Sequence, residues 1–214
     1  MRKILAPVPP LAGCFFEGGN DPWATRYVYG GRNYAVLGDA TAEPGGACAL
    51  FTKAMGVRGA FTTAIPLEPN LRWENIAPLL LAFAFSDGLT TYVSSDPQVR
   101  VGMFTVSTDA DGAITGFSAR LDRYHGAGAP HVIGERLDQV YILDGLMTVG
   151  IHNAICAMVG SGPDGAPDTC QSASADTATS YGEAPPGGYP AVERPVVASR
   201  PGARRSWRRT QLLQ

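Results

Sequence analysis

Charge is sparse in this chain of 214 residues: Asp, Glu, Lys and Arg together make up 17% of it, and histidine occurs three times. The last 21 residues hold six arginines and no acid, which leaves 11 basic against 19 acidic residues elsewhere, a net of −8. An acidic body of that kind argues against a nucleic-acid-binding domain. No stretch approaches the roughly 20 apolar residues that span a bilayer as a helix. The four cysteines, Cys14, Cys48, Cys156 and Cys170, include no C-x-x-C pair, which argues against a zinc site and leaves disulfides or free thiols. A Gly-x-Ser-x-Gly elbow, a Walker loop, a dinucleotide fingerprint and a His-Glu-x-x-His pair are all lacking, so no cofactor is expected.

What is present in quantity is glycine (26) and proline (17), within a 45% hydrophobic composition too apolar for a wholly disordered chain. The clearest periodicity lies between Leu79 and Asp122. Leu81, Phe83 and Phe85 alternate with Ala82 and Ala84, and Phe104 and Val106 with Thr105 and Ser107, the two-residue period of strands packed on one face. Asp87-Gly88, Asp111-Gly112 and Asp144-Gly145 separate such runs, and Asp-Gly accepts the positive φ of tight hairpin turns. Beyond Gly112 the alternation resumes, with Phe117, Ala119 and Leu121 expected in the core and Arg120 and Asp122 in water.

The runs Gly59-Ala-Phe-Thr-Thr-Ala-Ile-Pro-Leu67, Ala84-Phe-Ser-Asp-Gly88 and Phe104 to Phe117 (FTVSTDADGAITGF) occur in that order. The set resembles a pattern of exported bacterial proteins of the PEP-CTERM sorting class, which read "GSFT…PL…N", "FSFSDG" and "VSTDAxGxITGW". The resemblance covers roughly residues 56 to 122. It implies export and a β-rich body, and it implies no reaction. The C-terminal stretch has Ala191-Val-Glu-Arg-Pro195 and the arginine cluster of such proteins without their apolar membrane segment.

Met1-Arg-Lys followed by Leu11-Ala-Gly-Cys14 looks like a lipoprotein leader, which makes Cys14 a candidate for lipidation, although Pro7, Pro9 and Pro10 interrupt the apolar region such a leader needs. Cys156 and Cys170 flank the flexible run Gly160-Ser-Gly-Pro-Asp-Gly-Ala-Pro167 and are the expected disulfide, provided the loop ends are adjacent.

Three further groups carry possible chemistry. Trp23, Tyr27, Tyr29 and Tyr34 form an aromatic row around Gly30-Gly31, read either as core packing or as a platform on which flat rings stack against sugars. His125 and His131 share a Gly-rich loop. No carboxylate or cysteine accompanies them at a recognised ligand spacing, so solvated loop histidines and no metal are expected. Asp87, Asp109, Asp111, Asp122, Asp138 and Asp144 could in principle supply paired glycosidase acids, but most sit in Asp-Gly turns that already explain them.

The expected fold is an all-β antiparallel β-sandwich, one domain over residues 23–182, with a leader-like segment at 1–22 and a disordered Pro/Gly/Arg-rich basic tail at 183–214. A single curled sheet over a short helix is the competing arrangement. The expected role is a non-catalytic extracellular, periplasmic or cell-envelope protein of a bacterium. A carbohydrate-binding module using Trp23, Tyr27, Tyr29 and Tyr34 is the alternative, and a carboxylate-dependent glycoside hydrolase the more distant one. Extracellular polysaccharide or envelope components are the expected partners, with no nucleic acid.

Overall fold

The computed structural model describes residues 24–39, 50–126 and 128–193. In chain order the strands are β1 (Thr25–Gly30), β2 (Val36–Asp39), β3 (Arg58–Thr63), β4 (Glu74–Asn75), β5 (Leu80–Ser86), β6 (Thr91–Val93), β7 (Val99–Thr108), β8 (Ile114–Tyr124), β9 (Arg136–Leu143), β10 (Met147–Gly160), β11 (Thr169–Ser174), β12 (Ser180–Ala184) and β13 (Ala191–Val192). Five form one sheet in the order β13-β1-β3-β5-β6. The others form a second sheet, β2-β12-β10-β9-β8-β7-β4, with β11 also paired to β10. All pairings are antiparallel. The fold is the expected antiparallel sandwich.

The Asp-Gly turns fall where the sequence places them. Gly88, Gly112 and Gly145 adopt φ of 100°, 79° and 63° in the turns that join β5 to β6, β7 to β8 and β9 to β10. At the second of these, Asp109 accepts hydrogen bonds from the backbone N–H groups of Asp111 and Ala113 through Oδ1. The carboxylate is therefore part of the turn itself.

The core is built by rings meeting between the sheets. Phe61 of β3 packs edge-on to Phe104 of β7 at 5.0 Å and stacks near Phe117 of β8 at 5.9 Å, and Phe85 meets Phe104 at 6.2 Å. Alternation delivers Phe104, Val106, Phe117, Ala119, Leu121, Val140 and Ile142 to the same interior. One residue breaks the expected phase. Thr62 pairs with Ala82 but Thr63 pairs with Leu80, so Leu81 is skipped in a bulge and stands 57% exposed.

The outer face of the larger sheet is not all solvent. The β10–β11 connection lies over β7 and β8: Arg100 holds Asp168 in a bidentate pair at 2.7 and 2.9 Å, Asn75 donates to the Pro163 carbonyl, and Arg120 donates to the Cys170 carbonyl. Beneath it Tyr124, Leu137, Cys156 and Cys170 form a second small core. Asp122, expected in water, is fully buried on this covered face, where the Gln139 amide of β9 donates to its Oδ1 at 2.7 Å and Arg120 lies 3.6 Å from its Oδ2.

The folded body also continues past the expected limit at residue 182. β12 runs to Ala184, and β13 pairs with β1 through Tyr27↔Val192 and Val28↔Ala191, with an Arg26–Glu193 ion pair beside it. The open edge of β1 gives a short segment beyond the Pro/Gly stretch a backbone to pair with. The leader-like segment, Cys14, Cys48 and the arginine-rich tail lie outside the described residues.

Candidate functional site

β9 places Asp138, Val140 and Ile142 on one face by simple alternation, so the apolar interior of the larger sheet ends in a carboxylate. His125 follows the end of β8 beside it, and His152 arrives from β10. The β9–β10 register shifts between Ile151 and Ala154, and Asn153 adopts φ 67°. Bulges and left-handed non-glycine residues concentrate where a side chain is being re-aimed.

The three side chains converge closely. Nε2 of His125 is 2.8 Å from Oδ1 of Asp138, and the backbone N–H of Asn153 donates to the same oxygen at 2.9 Å. Nδ1 of His152 lies 2.9 Å from that oxygen but off the line that a ring N–H requires. It is thus a close ion-pair contact that leaves a buried nitrogen without an aligned hydrogen bond. The other carboxylate oxygen accepts from the Thr90 hydroxyl at 2.6 Å. Asp138 is nearly sequestered, whereas the side chains of His125 and His152 keep 33% and 28% of their surface. One ligand atom from each of the three falls within 4.8 Å of the others.

Electrostatics follow from that crowding. Burial alone would raise the Asp138 carboxyl, but hydrogen bonds from His125, Thr90 and the Asn153 N–H, together with the close approach of the His152 ring nitrogen, overcome it and hold the group well below the usual carboxylate range. The same carboxylate raises His152 above an ordinary histidine, against a smaller opposing effect of burial.

The cluster is roofed by the β5–β6 turn. Asp87 accepts from the N–H groups of Leu89 and Thr90 and from the Tyr92 hydroxyl, and Thr90 then reaches across to Asp138. The Tyr34 hydroxyl donates to the Asp87 carbonyl at 3.0 Å and anchors the turn to the core. Burial raises the Asp87 carboxyl, against the lowering by its hydrogen bonds.

Of the two readings of the aromatic row, core packing is the one its tyrosines adopt. Tyr27, Tyr29 and Tyr34 are each 2% exposed and belong to the core, so they form no platform. Tyr27 stacks on Phe61 and accepts the Leu67 N–H, and Tyr29 tilts onto Phe117 at 5.8 Å. Alternation along β1 turns both inward. Trp23 lies outside the described residues. His131 is not a solvated loop residue either: its ring stacks on Tyr124 with centroids 3.7 Å apart, beneath the β10–β11 connection. Cys156 and Cys170 are paired as expected, with Cα atoms 5.8 Å apart.

Asp138 and His152 were missed as partners of His125. The available signal was a single carboxylate in phase with Val140 and Ile142, obscured because Leu137 and Tyr141 make the opposite phase of β9 equally apolar.

A second, separate feature lies near the other end of β8. Asn70, Leu71, Arg72, Trp73, Ser107, Thr108 and Thr115 line an open cleft of about 310 Å³. Trp73 is 51% exposed with φ 52°, and its backbone N–H donates to Ser107 Oγ at 2.9 Å.

Fold and site together define a two-sheet antiparallel β-sandwich with a His–Asp–His cluster at one end. No family model matches the chain, and no curated protein and no solved structure matches it.

Proposed function

We propose that this chain is an exported or cell-envelope protein that serves as a binding or structural module rather than a catalyst. The observation that carries the reading is the Cys156–Cys170 pair, since structural disulfides persist in oxidising compartments and are rare in the cytosol. The resemblance to exported proteins of the PEP-CTERM sorting class points the same way. A non-catalytic role is supported by what the carboxylates already do: Asp87 and Asp109 accept turn N–H groups, Asp144 accepts the Phe117 N–H, and Asp96, Asp168 and Asp176 each hold an arginine. Fractionation of the native host tests it. The protein is expected in the envelope or medium, and recovery from cytosol alone would overturn the reading.

The cleft at Trp73 favours a second reading, recognition of a saccharide. An exposed indole beside Asn, Arg, Ser and Thr offers an apolar face for a sugar ring and donors for its hydroxyls. Screening against a glycan panel should give binding that Trp73→Ala abolishes. The absence of any hit, or a hit unaffected by that substitution, would remove the saccharide reading and leave the first one standing.

A further inference from the structure

We propose that His125, Asp138 and His152 form a binding site for one divalent transition-metal ion of the zinc type. Two imidazoles and one carboxylate are the donor set that borderline divalent ions take, with bond lengths of about 2.0 to 2.2 Å. Such bonds at a tetrahedral centre place ligand atoms roughly 3.3 Å apart. The observed separations from Oδ1 are 2.8 Å to His125 and 2.9 Å to His152, so each of these two pairs opens by about half an ångström to admit an ion, and all three ligand atoms already lie within 4.8 Å of one another.

Three independent features favour an ion over a purely structural ion cluster. The first is Nδ1 of His152, shut away from water and without an aligned hydrogen bond. A buried polar atom in that state is costly, and a metal bond uses its lone pair. The second is the support around the ligands: the Thr90 hydroxyl and Asn153 N–H fix both oxygens of Asp138, as outer hydrogen bonds fix carboxylate ligands at metal sites. The third is the bulge with left-handed Asn153, a local cost spent on turning His152 toward Asp138. The partial exposure of both imidazoles leaves an entry path and room for a water or a ligand atom in the fourth position. This inference does not depend on where the protein is exported or on the Trp73 cleft.

The test uses the full chain without a polyhistidine tag, in a Cys14→Ser, Cys48→Ser background so that those thiols contribute nothing, and stripped by chelator. Calorimetric titration with Zn²⁺ is expected to show one ion per chain, and Co²⁺ is expected to develop the intensified visible bands of a four-coordinate site. His125→Ala and His152→Ala should each weaken Zn²⁺ binding by more than tenfold, and Thr90→Val, which removes only an outer hydrogen bond, by about tenfold. His125→Gln, which retains a side-chain donor toward Asp138, keeps the test valid should the alanine variants misfold. It should melt like the parent without metal and bind Zn²⁺ as weakly as His125→Ala. Failure of the parent to bind a stoichiometric ion, or equal binding by the folded histidine variants, would overturn the site.

Discussion

Gly150 of β10 stands directly opposite Gly182 of β12, and the two missing side chains make the slot that the Tyr34 ring fills. A Cβ on Gly182 would stand 2.6 Å from the ring, and one on Gly150 would strike the hydroxyl and stand 2.9 Å from Cβ of Asp87. The ring is held at its far end by the hydrogen bond to the Asp87 carbonyl and on its side by edge contact with Phe51 at 5.3 Å, so it cannot swing aside cheaply. Gly182→Ala is therefore expected to destabilise the fold by about 1 to 3 kcal/mol, the usual cost of overpacking. Denaturant unfolding measures it, and an unchanged midpoint would contradict this placement of Tyr34.

Asp122 produces an inverted pH dependence. It is fully buried, and burial pushes its carboxyl up to about 6, against the lowering by Arg120 and by the Gln139 amide hydrogen bond at 2.7 Å. Below about pH 4 the group is protonated in both folded and unfolded chains and contributes no difference. Between about pH 4 and 6 the unfolded chain releases the proton while the folded chain retains it, so stability falls as pH rises. Above about 6 the loss is complete, on the order of 2 to 3 kcal/mol. Asp122→Asn keeps the oxygen that accepts from Gln139 and should remove this slope. Thermal melts of both proteins from pH 4 to 7 should diverge, with the variant gaining relative stability as pH rises.

The bulge in β5 separates two neighbouring apolar residues of similar appearance in the sequence. Leu81→Ser should change stability by less than about 0.5 kcal/mol, because the leucine already faces water. Phe83→Ala should cost about 3 to 5 kcal/mol, because that ring is in the core. Comparable losses from the two substitutions would mean that Leu81 is inside and the strand is unbulged.

Leu81 also marks how far the sequence could be read. Local signals were legible: the two-residue period of Phe104/Val106 and Phe117/Leu121 and the three Asp-Gly turns are decided within a few residues of chain, and together they imply the sandwich. Features set by distant segments were not. Asp122 is buried beside Gln139 of β9, His131 stacks on Tyr124 of β8, and β13 depends on the free edge of β1. The His125–Asp138–His152 cluster is of the same kind, since three separate elements supply it and a register shift in β10 aims one of its members.

The Cys156–Cys170 bridge spans a sequence separation of 14. The chain-entropy model gives a loop of that size roughly 3 kcal/mol of stabilisation. Cys156→Ser and Cys170→Ser should each lower the melting temperature of the oxidised protein, by equal amounts, and the double variant should fall no further. Unequal or additive losses would show that the cysteines act separately.

Export of a disulfide-stabilised sandwich is tested most directly by the state of these two cysteines in protein taken from the native host. Free thiols are blocked at lysis, and the chain is cut without reductant before Asp164 and Asp168, both of which lie between the two cysteines. The expected result is a linked pair of peptides carrying Cys156 and Cys170 that separates only after reduction. Recovery of both cysteines as blocked free thiols would contradict the bridge and, with it, residence in an oxidising compartment.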